Sequence, residues 1–415
     1  MSSTEDTILT HHAMLVAWGQ YAHCIGLIRE IDTARLRQKT VKHRPQTKVL
    51  EFLVAILGGF PYLKDISFSA HPLDKDQTVA QAWGQPGWAD HSGVSRTLRQ
   101  LSDEEVSQIS AILDRVSQPM IDREVVLASG AGRLELDGDL SPRPVSSTST
   151  TYPGASFGHM SDGVGLGYQA AILSMKSPTY GRIGLSAAQH PGSTVAASQA
   201  EALALAAEGR IGRWPLRRTD LLAQRIQGLL VKHEQLDQKA TRAQQRLAQA
   251  ETDLVTVEHS VNKAQQQLHA LQTEYERRQR PERPYSKLAK ARKRLGVYQR
   301  RLTRRQQDVS KAQAWLARQK ARLGTSQDEI TRLQKRLHRF QEDNIANVAP
   351  IRAVFRLDAG FGTPENIALL IEMGYEVYSK PHGTWLSGWL AERSAELDDW
   401  QRVGKNAEMV AWNQV

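Results

Sequence analysis

Apolar residues between positions 222 and 340 recur at alternating spacings of four and three, in two runs that a pair of prolines separates. The first run covers 222–275 and the second covers 288–340. Heptad spacing of this kind gives a helix one apolar seam that packs against another helix. Pro281 and Pro284 end the first helix, because proline lacks the backbone donor and clashes with the preceding turn. We therefore expect an antiparallel coiled-coil hairpin over 220–345, with two separate intermolecular coils as the alternative.

Shorter apolar runs, divided by Gly, Pro and Ser, characterise residues 130–210. Runs of this length predict β-strands when turn residues bound them. We expect three consecutive strands near 133–140, 165–176 and 180–188. A short helix near 197–208, rich in Ala, Glu and Leu, is expected to follow them.

The segment 350–415 begins with a strand–helix–strand pattern. Residues 351–357 form the first apolar strand. Thr363 has the side chain of a helix N-cap, and Pro364 suits the first position of a helix. Gly374 is expected to end that helix, and a second strand follows at once.

Residues 1–125 are predicted to form a helical, DNA-binding domain. Within it, the stretch 90–99 resembles the turn and second helix of a helix–turn–helix unit. Arg96 and Arg99 would then face the phosphates or base edges of DNA. An ordinary capped helix with solvated arginines fits the same stretch equally well, because short helical motifs recur by chance.

Composition favours an anionic partner and excludes several classes of protein. The 415 residues include 54 Lys or Arg against 44 Asp or Glu, a formal net charge of +10. Cys24 is the only cysteine, so neither an intrachain disulfide nor a cysteine-cluster zinc site is possible. No apolar run is long enough to span a membrane, and the first residues do not resemble a signal peptide. We expect a cytoplasmic, nucleoid-associated protein without a membrane partner.

The second arm of the predicted hairpin is strongly basic. Residues 281–343 hold 18 Lys or Arg and 6 Asp or Glu, a net charge of +12 that exceeds the charge of the whole chain. Charge runs on coiled coils are usually solvated faces. Here the imbalance has one sign, so contact with DNA phosphates is favoured over solubility alone. The residues expected to make it are Arg292, Lys293, Arg294, Arg300, Arg301, Arg304 and Arg305.

Two short apolar runs end in acidic residues and then in turn residues. The first contains Asp137 and Asp139, and the second ends at Asp358. Alternation along a strand places Asp137 and Asp139 on one face, where one or both could join Asp358 in a metal site. Carboxylate oxygens suit Mg²⁺, which keeps several waters and needs few protein ligands. The alternative is that each segment is only a turn, since Asp and Gly both favour turns.

The order strand, strand, strand, helix, strand, helix, strand resembles the RNase H-like core of DDE insertion-sequence transposases. The segments 137–141 and 357–367 resemble the two acidic strands of that family, and 152–159 and 190–194 resemble its connecting motifs. The resemblance implies an α/β fold: an RNase H-like mixed sheet with a helical N-terminal domain and the long hairpin as an insertion. Residues 130–210 and 350–415 would be the two parts of the core.

The same resemblance implies a DNA transposase that cleaves phosphodiester bonds at element ends and joins them to target DNA. Two Mg²⁺ or Mn²⁺ ions, a homo-oligomer and DNA as partner are implied with it. Asp358 and either Asp137 or Asp139 would hold the metal; which of the two does so stays open. Two other classes are weighed against this one: a catalytically inactive, DNA-binding transposase remnant, and a structural coiled-coil protein.

The third carboxylate of the family is a Glu on a helix after the last strand of the core. This chain offers Glu392, Glu396 and Glu408, with the first two expected one turn apart on a helix. We expect the chain to lack the C-terminal part of the family, including that Glu. The expected hairpin also precedes the strand of Asp358, whereas many relatives carry theirs after the following strand.

Overall fold

The computed structural model describes residues 10–39, 42–146, 152–380, 384–405 and 407–410. The fold is α/β, with twelve α-helices within these ranges and strands of mixed orientation. The chain divides into two compact units, Met1–Gly212 and Arg213–Val415, each described in turn.

The first unit opens with seven helices around an apolar core. Trp83, Leu50, Val54 and Ile112 lie in this core and are almost completely buried. The longest helix begins with a capping box, in which Ser102 and Glu105 exchange hydrogen bonds with each other's backbone N–H groups. The helices are α1 Ala13–Cys24, α2 Leu27–Asp32, α3 Pro45–Leu57, α4 Asp65–Phe68, α5 Gln77–Ala82, α6 His91–Arg99 and α7 Asp103–Gly130.

A four-stranded antiparallel ladder follows, built around one long strand. This central strand, β3, pairs antiparallel with each of the other three. One face of the ladder buries aliphatic side chains, and α8 packs against β1, β3 and β4. The elements are β1 Leu134–Pro144, β2 Ser156–Met160, β3 Gly163–Ser177, β4 Gly181–Pro191 and α8 Ala200–Ile211.

The three expected strands and the helix after them are confirmed, and β2 is an addition that the sequence did not predict. β2 has only five residues, and Gly158 and His159 in its middle break the alternation of apolar and polar positions. Gly158 is required there by packing, because a Cβ atom would overlap the carbonyl group of Gly192. A glycine that a close backbone approach requires also interrupts the alternation by which a strand is predicted from sequence.

The second unit consists of two long helices followed by a small α/β region. The strands β5 and β6 are parallel, and α11 connects them. Thr363 caps α11 by accepting a hydrogen bond from the Asn366 backbone, and Pro364 is its first residue, as expected. The elements are α9 Thr219–Arg277, α10 Lys287–Ala346, β5 Ala353–Leu357, α11 Pro364–Glu372, β6 Glu376–Ser379, α12 Thr384–Ser394, β7 Gln401–Gly404 and β8 Ala407–Met409.

The helices α9 and α10 pack along each other as an antiparallel hairpin. Contacts run in opposite directions along the two arms: Arg225 pairs with Glu329, and Asp253 pairs with Arg305 much nearer the tip. The arms have 59 and 60 residues, so each extends about 90 Å at 1.5 Å per residue. The apolar positions expected at the seam of α9 are all buried or half-buried.

A buried arginine fastens the base of the hairpin. Arg217 donates from Nε to Asp343 Oδ2 over 2.9 Å and from Nη1 to the Met373 carbonyl over 3.1 Å. Its guanidinium also lies over the ring of Phe340, and only 3% of its side chain is exposed. These partners come from the end of α10 and from the residue after α11, so one side chain joins the hairpin to the region of β5, α11 and β6.

Replacing Arg217 with alanine should lower the free energy of unfolding by about 3–5 kcal/mol, because it leaves Asp343 and the Met373 carbonyl without their donor. Arg218→Ala is the matched control, since half of its side chain is exposed and its partner Asp220 is a surface residue. Urea unfolding of the full chain, followed by circular dichroism, measures both. Equal decreases in the free energy of unfolding for the two variants would show that Arg217 does not specifically stabilise the base of the hairpin.

Candidate functional site

The first acidic segment lies on β1, with its carboxylates on one face of the ladder. Leu134 and Leu136 are fully buried on the opposite face. Glu135 and Asp137 are partly exposed and Asp139 is exposed. The alternation that the sequence predicted is therefore present, and it keeps the acidic side chains out of the core.

Both aspartates of β1 have partners. Arg182 from β4 contacts Asp137 Oδ2 over 3.0 Å, and Ser141 donates a hydrogen bond to Asp139 Oδ2 over 2.7 Å. Arg182 reaches Asp137 across β3, where the residue opposite Asp137 is the small Ser174. The Arg182 side chain is 60% exposed, so this ion pair is worth at most about 1 kcal/mol. A cation that bound Asp137 would compete with Arg182, and the arginine would be easy to displace.

The second acidic segment ends β5 at Asp358, which is exposed. Asp358 Oδ1 accepts a hydrogen bond of 3.0 Å from the Gly360 N–H and so starts a short 3₁₀ turn. Its backbone carbonyl accepts another from the Ser379 hydroxyl at the end of β6. The carboxylate is thereby fixed at the C-terminal end of a parallel strand, which is where open α/β sheets place ligands.

The loop after Asp358 is held closely against β6. Asn366, which is buried, donates from Nδ2 to the Phe361 carbonyl over 3.1 Å. Gly362 has no room for a side chain, because a Cβ atom there would overlap the carbonyl of Lys380. Glycine at this position is therefore set by the close approach of two backbone segments.

The aspartates belong to different units: Asp137 and Asp139 to the first, and Asp358 to the second. Their carboxylate oxygens are ligands that Mg²⁺ prefers. Within the described ranges, no group of three or more His, Cys, Asp or Glu side chains is close enough together to hold a metal ion. The carboxylates present thus fit a divalent cation by their chemistry.

The candidates for a third carboxylate are all on the surface. Glu392 lies on α12, and Glu408 lies on β8. Glu396 follows the end of α12 at Ser394, so the expected pair of glutamates one turn apart on a helix is wrong. Each of the three is exposed.

Arg96 and Arg99 lie in the last turn of α6, and both are exposed. The expected helix–turn–helix arrangement is not the one observed. Eight residues, 83–90, separate α5 from α6, whereas such a unit has a turn of three or four residues. The short turn, residues 100–102, follows α6, because Ser102 starts α7 at once. Arg96 shares a cleft with lysines from other segments, and sequence reasoning missed those lysines.

The basic arm is α10, and its charge is concentrated near the tip. Residues 287–305 contain nine Lys or Arg and no acidic residue. Arg292 pairs with Glu282 over 2.8 Å, and Arg305 pairs with Asp253 over 3.4 Å. The others have no acidic partner among the described residues: Lys287, Lys290, Lys293, Arg294, Arg300, Arg301 and Arg304.

An aromatic ring lies within this basic cluster. The guanidinium groups of Arg294 and Arg301 lie 5.8 and 5.9 Å from the centre of the Tyr298 ring. Lys290 and Lys293 line the same shallow surface depression. Stacking on Tyr298 orients two guanidinium groups without neutralising them, so the surface stays available to an anion.

Comparison with protein-family models, with curated proteins and with solved structures found no significant match for this chain. Among the described helices, none combines the length and the hydropathy that crossing a bilayer requires.

A buried acid lies beneath the N-terminal part of α6. Glu51 on α3 is fully buried, and its Oε2 accepts a hydrogen bond of 2.8 Å from the Ala89 N–H. Burial raises the pKa of Glu51 to about 8, against the weaker effect of that hydrogen bond, and Asp74 and Asp90 add to the rise. Glu51 is therefore mostly protonated at pH 7 in the folded protein.

Glu51 should make the protein less stable as pH rises. The pKa of Glu51 in the folded protein, about 8, lies above the ordinary value of 4.5. The contribution of this group to stability is therefore fully present below pH 4.5. The free energy of unfolding should fall between pH 5 and 8, where the unfolded state has released this proton and the folded state still holds it, at up to about 1.4 kcal/mol per pH unit. Glu51→Gln, which mimics the protonated acid, should remove this part of the pH dependence.

Urea unfolding at several pH values, followed by tryptophan fluorescence, measures the effect. Glu104→Gln on α7 is the control, since 80% of its side chain is exposed. A wild-type pH profile that Glu51→Gln leaves unchanged would contradict the assignment.

Proposed function

We propose that this protein is a DNA transposase of the DDE type with an RNase H-like core. The observation that carries the proposal is Asp358, which is exposed and fixed at the C-terminal end of β5 in a parallel strand–helix–strand unit. The chain order supports it: the antiparallel strands β1, β3 and β4, then α8, then β5, α11 and β6. This is the order that the resemblance implies.

The side chains have distinct roles in this proposal. Asp358, with Asp137 or Asp139, would hold divalent cations, and Mg²⁺ or Mn²⁺ would supply activation of water and stabilisation of charge on the phosphate. The Gly360 N–H fixes the orientation of the Asp358 carboxylate, so less freedom is lost on binding. DNA is the proposed substrate, and α10 is the proposed surface for its phosphates. Assembly as a homo-oligomer on DNA and association with the nucleoid belong to the same proposal.

Asp358→Asn should abolish Mg²⁺- or Mn²⁺-dependent nicking of DNA. The amide oxygen can still accept the Gly360 hydrogen bond, so the loop keeps its shape while the charge is removed. We expect a loss of at least about 10²–10³-fold, the scale of removing one group that stabilises charge in a catalytic centre. Nicking of supercoiled plasmid by the purified full chain measures it.

Asp328→Asn is the matched control, because Asp328 is an exposed aspartate on α10 in the same unit. Nicking that survives Asp358→Asn would overturn the transposase proposal. The variants Asp137→Asn and Asp139→Asn, compared in the same assay, would decide which aspartate of β1 acts with Asp358.

A second candidate function is DNA binding without cleavage. The ion pair between Arg182 and Asp137 favours it, because it already satisfies one of the carboxylates expected to hold metal. The distribution of charge between the arms favours DNA binding under either function. α9 has seven Lys or Arg and eight Asp or Glu, whereas α10 has 17 against five. A purely structural hairpin would not require this separation of charge.

The triple change Lys293→Gln, Arg294→Gln and Arg301→Gln should weaken binding to duplex DNA at least about tenfold at physiological salt. The slope of log Kd against log salt should fall by about three, one for each cation that no longer neutralises a phosphate. The matched control is the triple change Lys320→Gln, Arg322→Gln and Arg332→Gln, which removes equal charge from exposed positions nearer the base of α10. Equal effects of the two triples would show that only net charge matters.

A further inference from the structure

The first unit contains a second basic surface, a cleft that adjoins the N-terminal part of α3 and runs along α6. Its volume is about 650 Å³. Five cations from four separate segments line it: Lys39, Lys42, Lys48, Lys75 and Arg96. None of the five has an ion pair with an acidic residue in the part of the chain that is described.

Two acids also line the cleft, and they do not neutralise it. Asp90 caps α6: its Oδ1 accepts hydrogen bonds of 2.6 Å from the Gly93 N–H and from the Ser92 hydroxyl, and these bonds lower its pKa. Asp74 is the other acid. Burial and the charges of Lys42 and Lys48 lower the pKa of His43, so His43 adds little charge at neutral pH. Five fixed cations against two anions leave an excess of positive charge that an anion would stabilise.

The floor of the cleft includes a buried donor. Trp88 is 5% exposed, and its Nε1–H has no hydrogen-bond acceptor among the described residues. The unpartnered Trp88 Nε1–H costs about 1–3 kcal/mol, which an acceptor oxygen of a bound phosphate or of water would offset.

We propose that this cleft binds backbone phosphates of duplex DNA, which gives the proposed DNA-binding function a second contact surface and rests on it. Phosphate is favoured over a carboxylate ligand because the cations are mostly lysines spread over an open cleft, and lysine binds phosphate as a point charge. Arg96 enters the cleft, whereas Arg99 on the same helix lies outside it. The two arginines therefore have different roles, and Arg99 becomes the internal control.

The test uses the full chain carrying Asp358→Asn, so that cleavage of the DNA does not interfere with the binding measurement. Fluorescence anisotropy of a labelled DNA duplex measures the affinity over a range of salt concentrations. Lys48→Gln with Arg96→Gln should weaken binding about tenfold at physiological salt and lower the salt slope by about two. Arg99→Gln, and Arg123→Gln on the exposed face of α7, should each change the slope by less than about one. An Arg99→Gln effect equal to that of Arg96→Gln, or no effect of the double change, would overturn the proposal.

Two further measurements keep the result unambiguous. Arg96→Gln alone tests the cleft if Lys48→Gln impairs folding, because Arg96 is exposed. Titration with inorganic phosphate and pyrophosphate tests a small anion as the ligand: tight binding to wild type, with DNA affinity unchanged in the double variant, would reject DNA. Loss of DNA binding in the double variant supports the cleft even if the wild type never nicks DNA, so its outcome is separate from that of the transposase proposal.

Discussion

The buried guanidinium of Arg217 is the constraint on which the second unit depends. The orientation of a helix pair about 90 Å long depends on the contacts at its base. Arg217 holds it through Asp343 on α10 and the carbonyl of Met373 after α11. Glu372, buried at the end of α11, adds a second link by accepting from Arg225 of α9. Since α11 begins six residues after Asp358, the hairpin and the loop that fixes this aspartate are parts of one packed region.

The packing of the hairpin does not explain how charge is distributed between its two arms. Packing needs only the apolar seam, and the seam of both arms is made mainly of Leu, Ile, Val, Ala and aromatic residues. The exposed faces are free to vary, yet only α10 is basic, and its cations crowd toward the tip. Repulsion between neighbouring cations is tolerated there because water screens them and Tyr298 stacks with two of them. The electrostatic energy of such a surface is lowered most when it binds a polyanion.

The sequence predicted best where one physical cause acts along the chain. Heptad spacing predicted the hairpin, and a capping side chain followed by proline predicted the start of α11 at Pro364. Sequence reasoning failed where the cause lies in another segment. β2 depends on its pairing with β3, and the basic cleft brings Lys75 and Arg96 beside the lysines between positions 39 and 48. In the sequence, Glu51 cannot be distinguished from an exposed helical glutamate. Its burial depends on packing against other segments, which the local sequence does not show.

The two acidic segments differ in how ready they are to bind a cation. Asp358 is exposed, and the hydrogen bond that orients it comes from a backbone N–H, which stays in place when a cation arrives. Asp137 is paired with Arg182, whose guanidinium would have to leave. That departure is inexpensive, since Arg182 is mostly exposed and can pair instead with a DNA phosphate. Under the proposed function, a DNA phosphate would compete with Asp137 for the guanidinium of Arg182. The ion pair between Arg182 and Asp137 is therefore compatible with both of the proposed functions.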